Sequence, residues 1–161
     1  MSEFERSLLI PWDKNAEYAE RLVADLTEAQ MIHQPGEGMN HPAWILSHLN
    51  AYHPVLLAML TGQTFEDPKG HPFGMQSKPE SDASLYASKD QLLADFNKGH
   101  VEVREALNAA GESLAGPMTL ERWKGPFPTI GSALGYLMVF HESTHLGQLS
   151  AWRRVQGLPS V

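Results

Sequence analysis

Two histidines frame the string His141-Glu142-Ser143-Thr144-His145. On a helix, residues four apart share a face, so both imidazoles can point at one ion. For zinc, each ring nitrogen would stand about 2.0–2.1 Å from it. The pair falls in a series, Leu134, Leu137, Met138, Leu149, Trp152 and Val155, that recurs at helical spacing. Two imidazoles turned into an apolar interior are costly to bury without a shared partner. That favours a metal over two core histidines satisfied by neighbouring hydrogen bonds. The same string occurs in zinc peptidases, where the glutamate is the general base. That plan needs a further ligand downstream, with glycine and histidine where this chain has Gln148 and Ala151, or an acidic residue, and nothing after His145 is acidic. The third ligand is therefore sought upstream.

Upstream stand His33, His41, His48, His53, His71 and His100. His48 fits best, because it lies on an apolar stripe with Trp44, Ile45, Leu49, Tyr52, Val55, Leu56 and Met59. Metal sites in helix bundles are built from side chains on facing helices. His53, five residues on, is turned about 140° away. His33, His41, His71 and His100 fall at ends, in loops or in polar stretches, and are expected at the surface. Three protein ligands leave a fourth coordination position open, the arrangement of catalytic zinc sites. A water there can ionise near neutral pH, or a thiol can bind as thiolate. The thiol must come from outside, since the chain has no cysteine. Glu142 is the candidate catalytic residue, moving protons at the open position; the alternative is a solvated or supporting carboxylate. Gln148 is placed to hydrogen-bond a ligand imidazole or a substrate, or to cap a neighbouring backbone group. All-imidazole ligation suits zinc, nickel, copper or iron; zinc is the first expectation, nickel and iron the alternatives.

The elements that must position these residues read as helices. Of 161 residues, 42% are hydrophobic and 19% charged, a globular balance. No apolar run approaches the ~18 residues of a membrane span. The net charge of −7 repels phosphates, so no nucleic-acid partner is expected. The N-terminal residues lack a secretory pattern, and a cytoplasmic location is expected. A first helix covers about residues 3 to 26, with Pro11 either kinking it or starting it. Thr27 and Gln30 form a capping-box pattern for a short turn. A second helix opens at Asn40-His41-Pro42 and ends at Thr61-Gly62. Residues 61 to about 84, with Pro68, Gly70, Pro72, Gly74 and Pro79, form a long loop. A third helix runs from Ser88 to Gly111. A fourth runs from near Thr129 to about Val155, with Arg153 and Arg154 favouring the dipole of its last turn. The expectation is an all-α chain, a four-helix bundle with a long loop between helices 2 and 3, forming a single domain over residues 1–161.

Trp44-Ile45-Leu46-Ser47-His48-Leu49 and His141-Glu142-Ser143-Thr144-His145-Leu146-Gly147-Gln148-Leu149 together resemble the DinB-like superfamily. The more specific part is the His-x3-His-x-Gly-Gln pattern near the C-terminus. The spacing of the four helical segments matches over nearly the whole chain. The resemblance implies a four-helix bundle holding a divalent metal on His48, His141 and His145. It also implies a homodimer formed by helix packing. It further implies a small-molecule substrate, in some members a low-molecular-weight thiol such as bacillithiol or mycothiol used for S-transfer. Hydrolysis of a small molecule is the other chemistry such a site supports. A non-catalytic metal- or ligand-binding bundle of stress response is the competing expectation.

Overall fold

The computed structural model describes residues 2–161, the side chains of Glu112 and Ser113 excepted. It is all-helical, with no strand among the described residues. Helix α1 (Glu3–Val23) begins at a capping box between Ser2 and Glu5 and runs through Pro11 unbroken. The proline removes one intrahelical bond, but Leu8, Leu9 and Trp12 around it are all buried. A single turn, α2 (Glu28–Met31), is capped by Thr27 and Gln30. Helix α3 (Pro42–Thr61) starts where the His41 side chain accepts from the Trp44 amide. It continues through Pro54 and stops at Gly62, whose φ of 69° suits only a glycine-like terminus. Helix α4 (Lys89–Ala110) is capped by Ser88 and ends at Gly111.

The last helical stretch is not the continuous α-helix that the spacing predicts. It consists of α5 (Ile130–Leu134), a π-helical segment (Gly135–His141) and α6 (Glu142–Val155). In the wide turn the Glu142 amide reaches back to the Leu137 carbonyl, five residues away. Leu134, Met138, Glu142, Leu146 and Leu149 form the buried column. His141 and His145 are half-buried at its edge, and Gln148 and Val155 are exposed.

α3 lies along α4 and against α6, and α1 packs on both α4 and α6. Two apolar clusters fill the interior. One gathers Trp12, Val55, Leu56, Val103, Leu134 and Met138. The other gathers Ala19, Ile45, Phe96, Leu146, Leu149 and Trp152. Where the two meet, each long helix contributes a buried polar residue: Asn15, His53, His100 and Glu142. Arg153 does more than favour a helix dipole. It is 1% exposed, pairs with Asp25, and donates to the carbonyls of Leu22 at 2.9 Å and Pro159 at 3.2 Å. It thereby ties the end of α1 to the C-terminal tail.

The stretch from residue 61 to about 84, expected as a long loop, carries the 3₁₀ turn Pro68–Gly70 and runs into a second, Ala83–Leu85. The segment is laid back onto α3. Trp44 Nε1 donates to Ser77 Oγ at 3.2 Å, and His41 Nε2 meets the Glu80 carbonyl at 3.1 Å.

Candidate metal centre

α3 supplies His48, and α6, with the residue just before it, supplies His145 and His141. One ring nitrogen from each lies within 4.8 Å of the others. His48 Nε2 and His141 Nε2 are 3.0 Å apart. Two further contacts set the tautomers. His48 Nδ1 is 2.6 Å from the carbonyl of Phe73. A carbonyl only accepts, so Nδ1 carries the proton and Nε2 the lone pair. His145 Nδ1 lies 3.1 Å from Gln148 Oε1, and that oxygen also accepts from Asn40 Nδ2 at 3.0 Å. His145 Nδ1 is therefore the donor, and its Nε2 is left bare. Outer hydrogen bonds of this kind orient metal-ligating imidazoles and fix their tautomers.

Burial, with a contribution from His145, lowers the His48 pKa to about 4. Burial and the other two rings lower that of His141 to about 3. Burial also pushes His145 down, against the Gln148 hydrogen bond. All three are neutral at pH 7, the form that binds metal. With no ion between them, His141 must supply the proton that bridges its Nε2 to that of His48. With an ion bound, it supplies a third lone pair. Three neutral nitrogens with two of the rings braced from behind fit a divalent transition ion, zinc, nickel, copper or iron by donor type.

A pocket of about 620 Å³ opens on the three rings. Its walls are largely aromatic: Trp44, Tyr52, Trp123, Phe127 and Tyr136. Trp44 also stacks on His48, with ring centres 4.7 Å apart. Burial raises the pKa of Tyr52, so its hydroxyl stays protonated. Arg122 reaches the pocket while paired with Asp67 and lies over the Trp123 ring. The rim is formed by Gly74, Met75 and Gln76, the last with a φ of 74°. A side chain at Gly74 would put Cβ 1.7 Å from the Pro68 carbonyl oxygen, so only glycine closes the turn next to Phe73. A larger hollow of about 780 Å³, lined by Asn50, Val55, Phe73 and Leu92 among others, includes none of the three histidines.

The structure brings His48, His141 and His145 together and leaves Glu142 out. Glu142, expected at the open coordination position, does not line the pocket. It is 2% exposed, and its Oε2 meets His100 Nε2 at 3.1 Å. The reason is register: a position next to a ligand on a helix is turned about 100° from it. Burial pushes the Glu142 carboxyl well above its ordinary range, against a smaller opposing effect of Asn15. His100 is pushed down to about 3, so its imidazole enters the contact uncharged. His100 and His41, expected at the surface, are buried; His33 and His71 are exposed as expected. Gly99 explains His100: with no side chain, it lets α4 close on α3, and a Cβ there would stand 1.9 Å from His53 Nδ1. Trp44, Trp123 and Phe127 wall the pocket, while Trp12 stacks on His100. Phe73 and Asn40 act on the site through a backbone carbonyl and an outer amide, roles that their residue types do not announce. The glycine-rich loop was the one signal pointing there.

The comparison with curated proteins returned no match. The family model described as the DinB superfamily matches residues 12–149, a span that takes in all three histidines of the pocket. On that match, which covers most of the 161 residues, the chain belongs to the DinB superfamily.

Proposed function

We propose that this chain is a metal-dependent enzyme built as a single-domain four-helix bundle. It holds one divalent ion, zinc first with nickel or iron as alternatives, on His48, His141 and His145. It acts on a small molecule by thiol S-transfer or hydrolysis. The observation that carries this is the convergence of three neutral imidazoles at the floor of an apolar pocket, two of them braced through Nδ1. When bound, the ion supplies a Lewis acid that makes an anion of water or thiol near neutral pH. The chain's own residues do the rest. Trp44, Trp123 and Phe127 exclude water and bind apolar surface, and Tyr52 offers a protonated hydroxyl to the reacting group. The thiol is exogenous, because the chain has none. The thiol class and a homodimer rest on the family resemblance.

One observation favours the second reading, a non-catalytic metal- or ligand-binding bundle: no carboxylate among the described residues lines the pocket. The same observation removes the general base from the peptidase plan. Calorimetric titration of the zinc-loaded protein with low-molecular-weight thiols separates the two. Saturable binding that disappears in His48→Ala, followed by thioether formation with added electrophiles, supports the enzyme. If the loaded protein binds no thiol and hydrolyses no small ester or amide, the binding role stands instead.

A further inference from the structure

The pocket leaves a second group of histidines unused. His53 on α3, His100 on α4 and Glu142 on α6 are 4%, 4% and 2% exposed. One ligand-capable atom from each lies within 4.8 Å of the others. They sit at the junction of the two apolar clusters. Trp12 stacks on His100 with ring centres 3.8 Å apart and meets His53 edge-on. Phe96 lies against both imidazoles.

A self-contained hydrogen-bonded network would use these groups up. This one does not. His53 Nε2 and His100 Nδ1 are buried with no hydrogen-bond partner, and Glu142 Oε1 has none in ordinary geometry, Asn15 approaching the carboxyl. The single bond inside the group, His100 Nε2 to Glu142 Oε2 at 3.1 Å, satisfies one atom of each. Buried polar atoms in native proteins are nearly always paired, and orphaned atoms on three adjoining side chains point to a missing partner, of which one ion can take a single nitrogen from each imidazole. The arrangement is also built rather than incidental: His53 occupies the space only because residue 99 is glycine.

We propose that His53, His100 and Glu142 form a second cation site, distinct from the pocket site, that takes a first-row divalent transition ion. Two imidazoles and one carboxylate are a ligand set for zinc, iron(II) or manganese; magnesium and calcium prefer oxygen throughout. The charge of the ion is met in part by the one carboxylate available. α3 and the α6 stretch then each serve both sites, with His48 and His53 on two faces of one and His145 and Glu142 on two faces of the other. The site is closed to solvent and bridges three helices, so the ion it holds is structural.

The inference does not depend on the pocket site, and metal stoichiometry separates them. The full chain is refolded in zinc, because the three residues are shut off from solvent, then dialysed and analysed for zinc per chain. Wild type is expected to hold two ions. Glu142→Gln keeps the volume and a hydrogen-bonding group beside His100, and is expected to hold one. The double variant His48→Ala/His145→Ala is expected to hold one, and its combination with Glu142→Gln none. Circular dichroism checks that each variant is folded, and His100→Gln replaces Glu142→Gln should the latter not be. A single ion in wild type that survives Glu142→Gln overturns the second site and leaves the first. A single ion that is lost in Glu142→Gln and kept in the double variant overturns the first and leaves the second. Two ions in Glu142→Gln, or a cluster completed by water alone, overturn the proposal.

Discussion

At the scale of single residues, the pocket depends on what stands behind each imidazole. Gln148 holds His145 and is itself held by Asn40. Replacing it with alanine frees the ring and leaves its Nδ1 without an acceptor. Gln148→Ala is expected to weaken metal binding by about 10–100-fold while leaving the melting temperature of the metal-free protein close to wild type. Competition with a chelator measures the first and calorimetry the second. Gly99 acts by having no side chain: Gly99→Ala drives Cβ into the His53 ring, which is enclosed by Trp12, Phe96 and His100. Overpacking of this kind costs about 1–3 kcal/mol, to be read from the urea midpoint. The three pocket histidines were legible in the sequence, because i, i+4 spacing and an apolar stripe survive any small rotation of a helix. Glu142 was not, because its role depends on which way one position of one helix faces. Nor was His100, whose polar neighbours Asn97 and Lys98 suggest solvent while Gly99 brings the helix against α3.

At the scale of elements, the helices and most of their caps follow from local chemistry: Thr27 with Gln30, His41-Pro42, Ser88, Gly62 and Gly111 all act where the sequence puts them. The π-helical segment does not follow, since no residue between Gly135 and His141 announces a wider turn. It arises where the last helical stretch must pack on α1 and α3 while presenting His141 to the pocket. Residues 62–88 show the same limit. Their prolines and glycines mark a loop, but not that the Phe73 carbonyl would hold His48. That contact depends on the tight turn at Gly74. Gly74→Ala should therefore displace Phe73, weaken metal binding at the pocket, and leave the helical circular dichroism signal unchanged. Retention of full affinity would show that Phe73 does not position His48.

At the scale of the whole molecule, two apolar clusters meet at a level of buried polar groups, and this makes stability depend on pH. Burial holds His53 and His100 at about 3, against 6.5 for an ordinary imidazole. Both are neutral when folded, whereas the unfolded chain takes up protons below pH 6.5. Their contribution is thus present above pH 6.5 and lost as pH falls toward 3. His41, His48, His141 and His145 are shifted the same way. Glu142 acts in the opposite sense, since its raised pKa adds stability at low pH that is lost as pH rises. Six histidines outweigh one carboxyl, so the melting temperature of chelator-treated protein should fall between pH 7 and pH 5; a flat or rising profile would contradict the burial described here. His48, His141 and His145 are expected to hold one ion between them, which elemental analysis of untagged protein purified without added metal measures. Wild type is expected to hold one transition-metal ion more per chain than either His48→Ala or His145→Ala. The same metal content in wild type and both variants, or no ion in wild type even after incubation with zinc or nickel, would contradict that shared site.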